Sequence, residues 1–355
     1  MKILFSGGGT LGHIYPMVSV VKELRRRGYK LYFIGTKKGL ERKYIEDSSL
    51  FHKTYYFDSE GLKRKLSIKN LVVIYKHFRN IKKAKRIFKK EGIDIVVGMG
   101  GFISASTIIA AHKLKLKTLI HEQNACLGLA NKVVKNKVNR VLLSYPITNL
   151  DNSVVVGNPR ISEVYEKYKH ENLNLGNYLL VVGGSRGAKK INELIISLKD
   201  KLAKENINCI LITGSKYYEE NKESLNKIKS KKMEIIPFSN DLPKLLINAK
   251  LVISRAGATT LSELMALKKV SILIPSPNVT SDHQTKNAMH LVKINGAVML
   301  KEKELIGENL FSEVKRLYFD NKLRSRIINN LSFNVRFDAK DLFIEEIEKL
   351  IKSRK

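Results

Sequence analysis

Cysteine is scarce in this 355-residue chain: only Cys126 and Cys209 occur, in neither a C-x-x-C spacing nor a histidine cluster. That excludes a disulfide framework and gives no sign of a structural zinc site, so both cysteines are expected to be small buried hydrophobes. No apolar run approaches the roughly 18–20 residues of a spanning helix, and Met1–Phe5 meets glycine too soon to be a secretory h-region. The chain is therefore expected in the cytoplasm or on the cytoplasmic face of a membrane. Acid is scarce as well, 33 Asp and Glu against 65 Lys and Arg, for a formal net charge of +32. A balance of that sign suits nucleic acid, an anionic membrane or a polyphosphate substrate.

The shortage of acid is complete from Leu62 to Lys90, which holds twelve Lys or Arg and no Asp or Glu, interleaved with Leu66, Ile68, Leu71, Ile74, Tyr75, Phe78, Ile81 and Phe88. Such a basic amphipathic stretch either rests on an anionic bilayer or is an ordinary solvated helix face over a core; both readings stand on sequence alone.

What is present is a repeated strand–glycine–helix pattern in a chain long enough for two domains. Ile3–Phe5 runs into Ser6-Gly7-Gly8-Gly9-Thr10-Leu11-Gly12-His13, and Ile95–Val97 into Gly98-Met99-Gly100-Gly101-Phe102. Leu179–Val182 runs into Gly183-Gly184-Ser185-Arg186-Gly187, and Leu251–Ile253 into Ser254-Arg255-Ala256-Gly257. Glycine lets a phosphate approach bare N–H groups at a helix N-terminus, where the dipole favours an anion. Alternating strands and amphipathic helices point to α/β units with parallel sheets. Strands are expected near 2–6, 30–35, 94–98, 117–120, 140–143 and 153–156, then near 178–182, 208–212, 233–236, 251–253 and 271–274. The division expected is 1–160, 161–330 and a helical tail, 331–355, that packs back on the first domain.

Gly7 to Gly12 fits G-x-G-x-x-G, which would suit a dinucleotide. The second strand, however, ends in Gly35-Thr36-Lys37-Lys38 rather than in an acid, so only an NADP-type phosphate would be served. No glycine turn carries a Walker A lysine, and there is no Asp-x-Asp metal motif. A phosphate leaving group would then be stabilised by helix termini and side-chain cations, and no metal-binding residues are expected.

Gly8 to His13, Gly98 to Phe102, His121-Glu122-Gln123-Asn124, Gly157-Asn158-Pro159, Gly183 to Ala188, Ser254 to Glu263 and Asp282-His283-Gln284 occur in one order. Together, over residues 4 to about 290, they resemble the MurG family of bacterial cell-wall glycosyltransferases. The resemblance implies the GT-B architecture, two Rossmann-like domains with parallel sheets facing across a cleft. The first domain would take the acceptor and the membrane, the second the UDP-sugar. It implies inverting transfer of N-acetylglucosamine from UDP-N-acetylglucosamine to the C4 hydroxyl of lipid I, making lipid II for peptidoglycan synthesis and hence for cell shape and division. It also implies peripheral binding to the cytoplasmic face of the bacterial plasma membrane and an anionic membrane surface as partner. Other cell-wall synthesis proteins are candidate partners, and no nucleic acid is expected. No tightly bound cofactor is expected, a free divalent cation at most stimulating the reaction.

Roles follow residue by residue. On the donor side, the N–H groups of Ala258, Thr259, Thr260, Leu261 and Ser262 would hold the UDP phosphates, and Glu263, one turn inside the helix, would accept the ribose hydroxyls. The plainer reading of Glu263 is an acid complementing the helix dipole. Ser185 would face the diphosphate with Arg186 as an added cation, Phe238 and Ser239 would read the uracil through their backbone, and Gln284 would meet the sugar hydroxyls. On the acceptor side, Thr10, Leu11 and Gly12 of the first turn would bind substrate. His13 would take the C4 hydroxyl proton as general base or pair with the lipid pyrophosphate, and Glu122 is the second base candidate. Asn124 would contact the donor sugar, and Arg160 a phosphate or uracil. The chain departs from the family pattern at Leu11 (glycine), Phe102 (tyrosine), Arg186 (glutamine) and Arg160, one residue early. The alternatives are a GT-B glycolipid synthase, a UDP-N-acetylglucosamine epimerase, whose acidic catalytic residues find no counterpart here, and a basic nucleic-acid-binding protein, which explains the charge but no glycine turn.

Overall fold

The apolar runs become two all-parallel sheets. The computed structural model describes residues 1–355 apart from 40, 62–67, 172–176, 185–186 and 354–355, together with the side chains of 68 and 69. The chain divides into two compact units, Met1–Glu163 with Arg336–Lys355, and Val164–Val335.

In the first unit seven strands, β1 (Lys2–Gly7), β2 (Lys30–Thr36), β3 (Lys53–Phe57), β4 (Ile95–Gly100), β5 (Lys117–Glu122), β6 (Arg140–Leu143) and β7 (Ser153–Val155), lie in the order β3-β2-β1-β4-β5-β6-β7. β1 reads Lys-Ile-Leu-Phe-Ser-Gly because a central parallel strand is covered on both faces, and Ile3, Leu4 and Phe5 are wholly buried. One face carries α1 (Tyr15–Arg26), and beside it packs the helix Ala339–Lys352, whose Phe343, Ile344 and Ile347 join Ile3, Met17, Val97 and Leu119 in one core. The other face carries α3 (Ile68–Glu91) and α4 (Phe102–Lys113), with Ile81, Ala84 and Phe88 packed among Leu4, Val96 and Ile108. Between α1 and α3 in the chain lies α2 (Glu41–Ser48). Of the two cysteines, Cys209 is buried, whereas Cys126 is only half-buried in the loop after β5.

The second unit has six strands, β8 (Tyr178–Val182), β9 (Asn208–Ile212), β10 (Met233–Ile236), β11 (Ala249–Ser254), β12 (Ser271–Leu273) and β13 (Val298–Met299), ordered β10-β9-β8-β11-β12-β13. Two strands lie beyond the sequence reading. β3 is an edge strand, half-exposed over most of its length, so Lys53-Thr54-Tyr55-Tyr56-Phe57 shows no apolar run, and β13 has only two residues.

In each sheet the order reverses direction between two central strands, β1 and β4 in one, β8 and β11 in the other. A doubly wound sheet leaves its ligand crevice at the carboxyl ends of those strands, and all four glycine-rich turns are found there.

Candidate active site

In the first unit the turn after β1 and the turn after β4 meet around His13. The ring of His13 lies on the bare backbone of Gly100, where a Cβ would come within 2.7 Å of its Cδ2. Gly101, at φ +83°, brings its Cα so close to the Gly8 carbonyl that no side chain fits. The His13 Nδ1 is 2.9 Å from that same carbonyl oxygen and 3.4 Å from Thr10 Oγ1. A carbonyl only accepts, so Nδ1 carries the proton and Nε2 is the basic nitrogen of the neutral ring. Among the described residues none hydrogen-bonds Nε2. Thr10 precedes the short 3₁₀ turn Leu11–His13 and is exposed, with Leu11 and Gly12 half-buried beside it.

Glu122 is a different kind of residue. Its buried carboxylate accepts four hydrogen bonds, from Asn124 N–H (3.0 Å) and Asn124 Nδ2 (2.9 Å) on Oε1, and from Gly128 N–H (2.8 Å) and Asn131 Nδ2 (2.9 Å) on Oε2. Both oxygens are saturated, so the group holds the 123–131 loop, and a proton taken up there would break that hold. This geometry speaks against Glu122 as the base and ties Asn124 to it through both its backbone N–H and its amide group. Behind them His121 is wholly buried. Its Nδ1 accepts from Gln123 Nε2 (3.1 Å), and its Nε2–H donates to Gly157 O (3.2 Å). Burial drives its pKa down to about 4 against the opposing pull of the Gly157 carbonyl, with a smaller push downward from His13. Arg160 is engaged locally: its guanidinium pairs with Glu163 at 2.8 Å and lies 5.0 Å over the Tyr15 ring. The phosphate or uracil role read from the sequence would require it to leave both.

In the second unit the helix Ala258–Ala266 starts directly after β11 and Gly257, and a Cβ on Gly257 would meet nothing within 4 Å, so the helix start is open. The Leu261 N–H already donates to Gly257 O at 2.9 Å and Ser262 Oγ to Ala258 O at 2.8 Å, both side chains being buried. The anion-binding N–H groups are thus narrowed to Ala258, Thr259 and Thr260. Glu263 is buried one turn in, at 4 % exposure. Arg255 is fixed behind the turn by Ile274 O (3.1 Å), Pro275 O (3.2 Å) and an ion pair with Glu302. Gln284 accepts the Ser276 N–H at 2.8 Å through Oε1, and its amide NH₂ group is a donor only. Ser281 and Asp282 before it both have positive φ, +56° and +48°, a strained approach to the helix His283–Lys293. Phe238 is about half exposed after β10, with Ser239 half-buried next to it. Ser185 and Arg186 lie outside the described residues. No three His, Cys, Asp or Glu side chains come together to hold a metal ion among the described residues.

One participant escapes sequence reasoning. Glu41, wholly buried, folds back from the start of α2 into the first glycine turn and accepts the Gly9 N–H at 3.2 Å. A dinucleotide site would place an acid at the end of β2 for a ribose. Here the acid arrives a few residues later and binds the turn itself.

Residues 3–143 match the glycosyltransferase family 28 N-terminal domain and residues 178–341 its C-terminal domain. A protein of Thermoanaerobacter sp. (strain X514), named UDP-N-acetylglucosamine--N-acetylmuramyl-(pentapeptide) pyrophosphoryl-undecaprenol N-acetylglucosamine transferase, is 38 % identical over 373 residues, covering 99 % of this chain and 100 % of that one. The crystal structure of Acinetobacter baumannii MurG superposes with a TM-score of 0.78 at 26 % identity, covering 98 % of this chain and 99 % of that one. The Neisseria meningitidis UDP-GlcNAc 2-epimerase, at 15 % identity and a TM-score of 0.69 over 98 % of this chain and 100 % of that one, shares the fold alone. With both of its domains matched and relatives of that name along nearly its whole length, this chain belongs to the MurG family within glycosyltransferase family 28.

Proposed function

We propose that this chain transfers N-acetylglucosamine from UDP-N-acetylglucosamine to the C4 hydroxyl of lipid I, releasing UDP and forming lipid II. The observation that carries this reading is the full-length likeness to transferases of that name, joined to a basic His13 Nε2 in one unit and an open helix start in the other. The acceptor oxygen attacks the anomeric carbon from the face opposite the phosphate. As the new C–O bond forms, the old one breaks and its electron pair leaves on the UDP β-phosphate, inverting α to β. His13 Nε2 takes the hydroxyl proton. The N–H groups of Ala258, Thr259 and Thr260 and the helix dipole stabilise the charge growing on the diphosphate. Glu263 accepts the ribose hydroxyls, Gln284 donates to the sugar, and the backbone at Phe238 and Ser239 reads the uracil.

The membrane part of the proposal rests on α3. Its inner face is buried through Val73, Asn80, Ile81, Ala84 and Phe88, yet Leu71, Tyr75 and Phe78 are each 60 % or more exposed. Arg79, Lys82 and Arg86 continue their stripe along the same side at helical spacing. An exposed apolar stripe running into a basic one fits the interface of an anionic bilayer and is not expected of a merely solvated face. No described helix is long and apolar enough to cross a membrane. We place the chain peripherally on the cytoplasmic face; residues 62–67, also part of the basic stretch, lie outside the described residues.

The test is incubation with labelled UDP-N-acetylglucosamine and a short-chain lipid I analogue. Release of UDP with formation of a β-linked disaccharide is expected. Conversion of the sugar to its 2-epimer, or UDP release without disaccharide, would overturn the proposal.

A further inference from the structure

The carboxylate of Glu41 is wholly buried, and its three described partners are all neutral donors: Thr36 N–H at 2.9 Å and Thr36 Oγ on Oε1, and Gly9 N–H at 3.2 Å on Oε2. The turn is cut to receive it, since a Cβ on Gly8 or on Gly39 would run into the carboxyl group. A buried carboxylate without a cation is expensive, and an apolar side chain would fill the same space at lower cost. What a carboxylate alone supplies is a pair of acceptor oxygens, one for the end of β2 and one for the turn after β1. The peptide group that donates the Gly9 N–H carries, on its other side, the Gly8 carbonyl, which receives the His13 Nδ1 proton at 2.9 Å.

We propose that Glu41 is a positioning residue for the transfer reaction: by clamping the Gly9 N–H against the end of β2 it holds the Gly8 carbonyl on His13 Nδ1, and so keeps Nε2 as the nitrogen that receives the proton. The proposal rests on the reading of His13 as the base. It also withdraws the Gly9 N–H from any phosphate.

Glu41→Gln tests it with almost no change of shape. The amide oxygen still serves Thr36, but the NH₂ group then meets the Gly9 N–H, donor against donor. Two readouts are taken. Nitrogen-15 spectra of the His13 ring at pH 8 report the tautomer without substrate, and steady-state kinetics report the transfer. In the wild type the Nδ1–H form should dominate. In Glu41→Gln it should give way to a mixture with the Nε2–H form, while kcat falls about tenfold or more and KM for UDP-N-acetylglucosamine stays within about twofold. Gly8→Ala presses on the same contact from the turn side and should reproduce the tautomer change if Glu41→Gln does not fold. An unchanged His13 tautomer in the folded variants overturns the proposal, as does a changed tautomer with undiminished kcat. A wild type that transfers nothing to lipid I defeats the functional reading instead, and the ring spectra still decide the role of Glu41.

Discussion

His13 and His121 share a unit and differ in what their second nitrogen touches. The Nε2 of His13 has no described partner, so the ring is equipped to gain and lose a proton, whereas His121 is enclosed by Gln123, Gly157 and Phe343, its ring centroid 5.3 Å from that of the phenylalanine. His13→Ala is therefore expected to lower kcat by about a hundredfold or more with UDP affinity nearly intact, read by steady-state kinetics and calorimetry. Full turnover in that variant would rule His13 out as the base. Glu263→Ala should weaken UDP binding by about 1.5–3 kcal/mol, as expected for hydrogen bonds to a charged group, and unchanged affinity in a folded variant would remove the ribose role. For His121 the sign is fixed by its depressed pKa, about 4 against an ordinary 6.5. Between those values the unfolded chain binds the proton and the folded one does not, so stability falls on acidification through that window, by up to about 1.4 kcal/mol per pH unit. Denaturant midpoints from pH 7 to pH 4.5 should fall less steeply in His121→Gln than in the wild type.

At the scale of elements, the two stripes of α3 make separable demands on a bilayer. Reversing the charge of Arg79, Lys82 and Arg86 should release the protein from anionic vesicles at moderate salt, each cation contributing about 1 kcal/mol near the surface, with UDP binding unaffected. If the triple variant sediments with the vesicles as fully as the wild type, α3 is a solvated face and docking belongs to another surface. Lys83 is left out because its ammonium lies 5.8 Å over the Phe57 ring and is partly structural. The central strands and glycine turns could be read in advance because each is local: a strand covered on both faces must be an apolar run, and a turn with positive φ favours glycine. β3 could not, for a half-exposed edge strand keeps polar residues. Nor could the grip of Glu41 on Gly9, thirty-two residues away in sequence, or the saturation of Glu122, because both depend on which loops the sheet brings together.

For the molecule as a whole, the family and fold were accessible from the order of seven motifs, while the roles of individual side chains awaited their hydrogen bonds. The two units offer an independent check on where the donor binds. UDP at about a hundred times its Kd should stabilise the unit that holds it by about 2.7 kcal/mol. Hydrogen exchange should therefore slow in peptides from Val164–Val335 and be little changed in β1, β4 and β5. Phe343→Ala should act on the other unit, destabilising it by about 3–5 kcal/mol through the cavity left against the β1 core.

That phenylalanine belongs to the last helix of the chain, and the first unit is interrupted by the whole of the second. On the ribosome, then, the order of folding reverses the order of synthesis. Val164–Val335 emerges as one continuous stretch and can close as soon as it clears the exit tunnel. The earlier residues must wait with the part of their sheet face beside α1 bare until Ala339–Lys352 has been made. A nascent chain held by an added linker with residue 335 just outside the tunnel should already resist protease across its second unit, while its first remains open to cleavage.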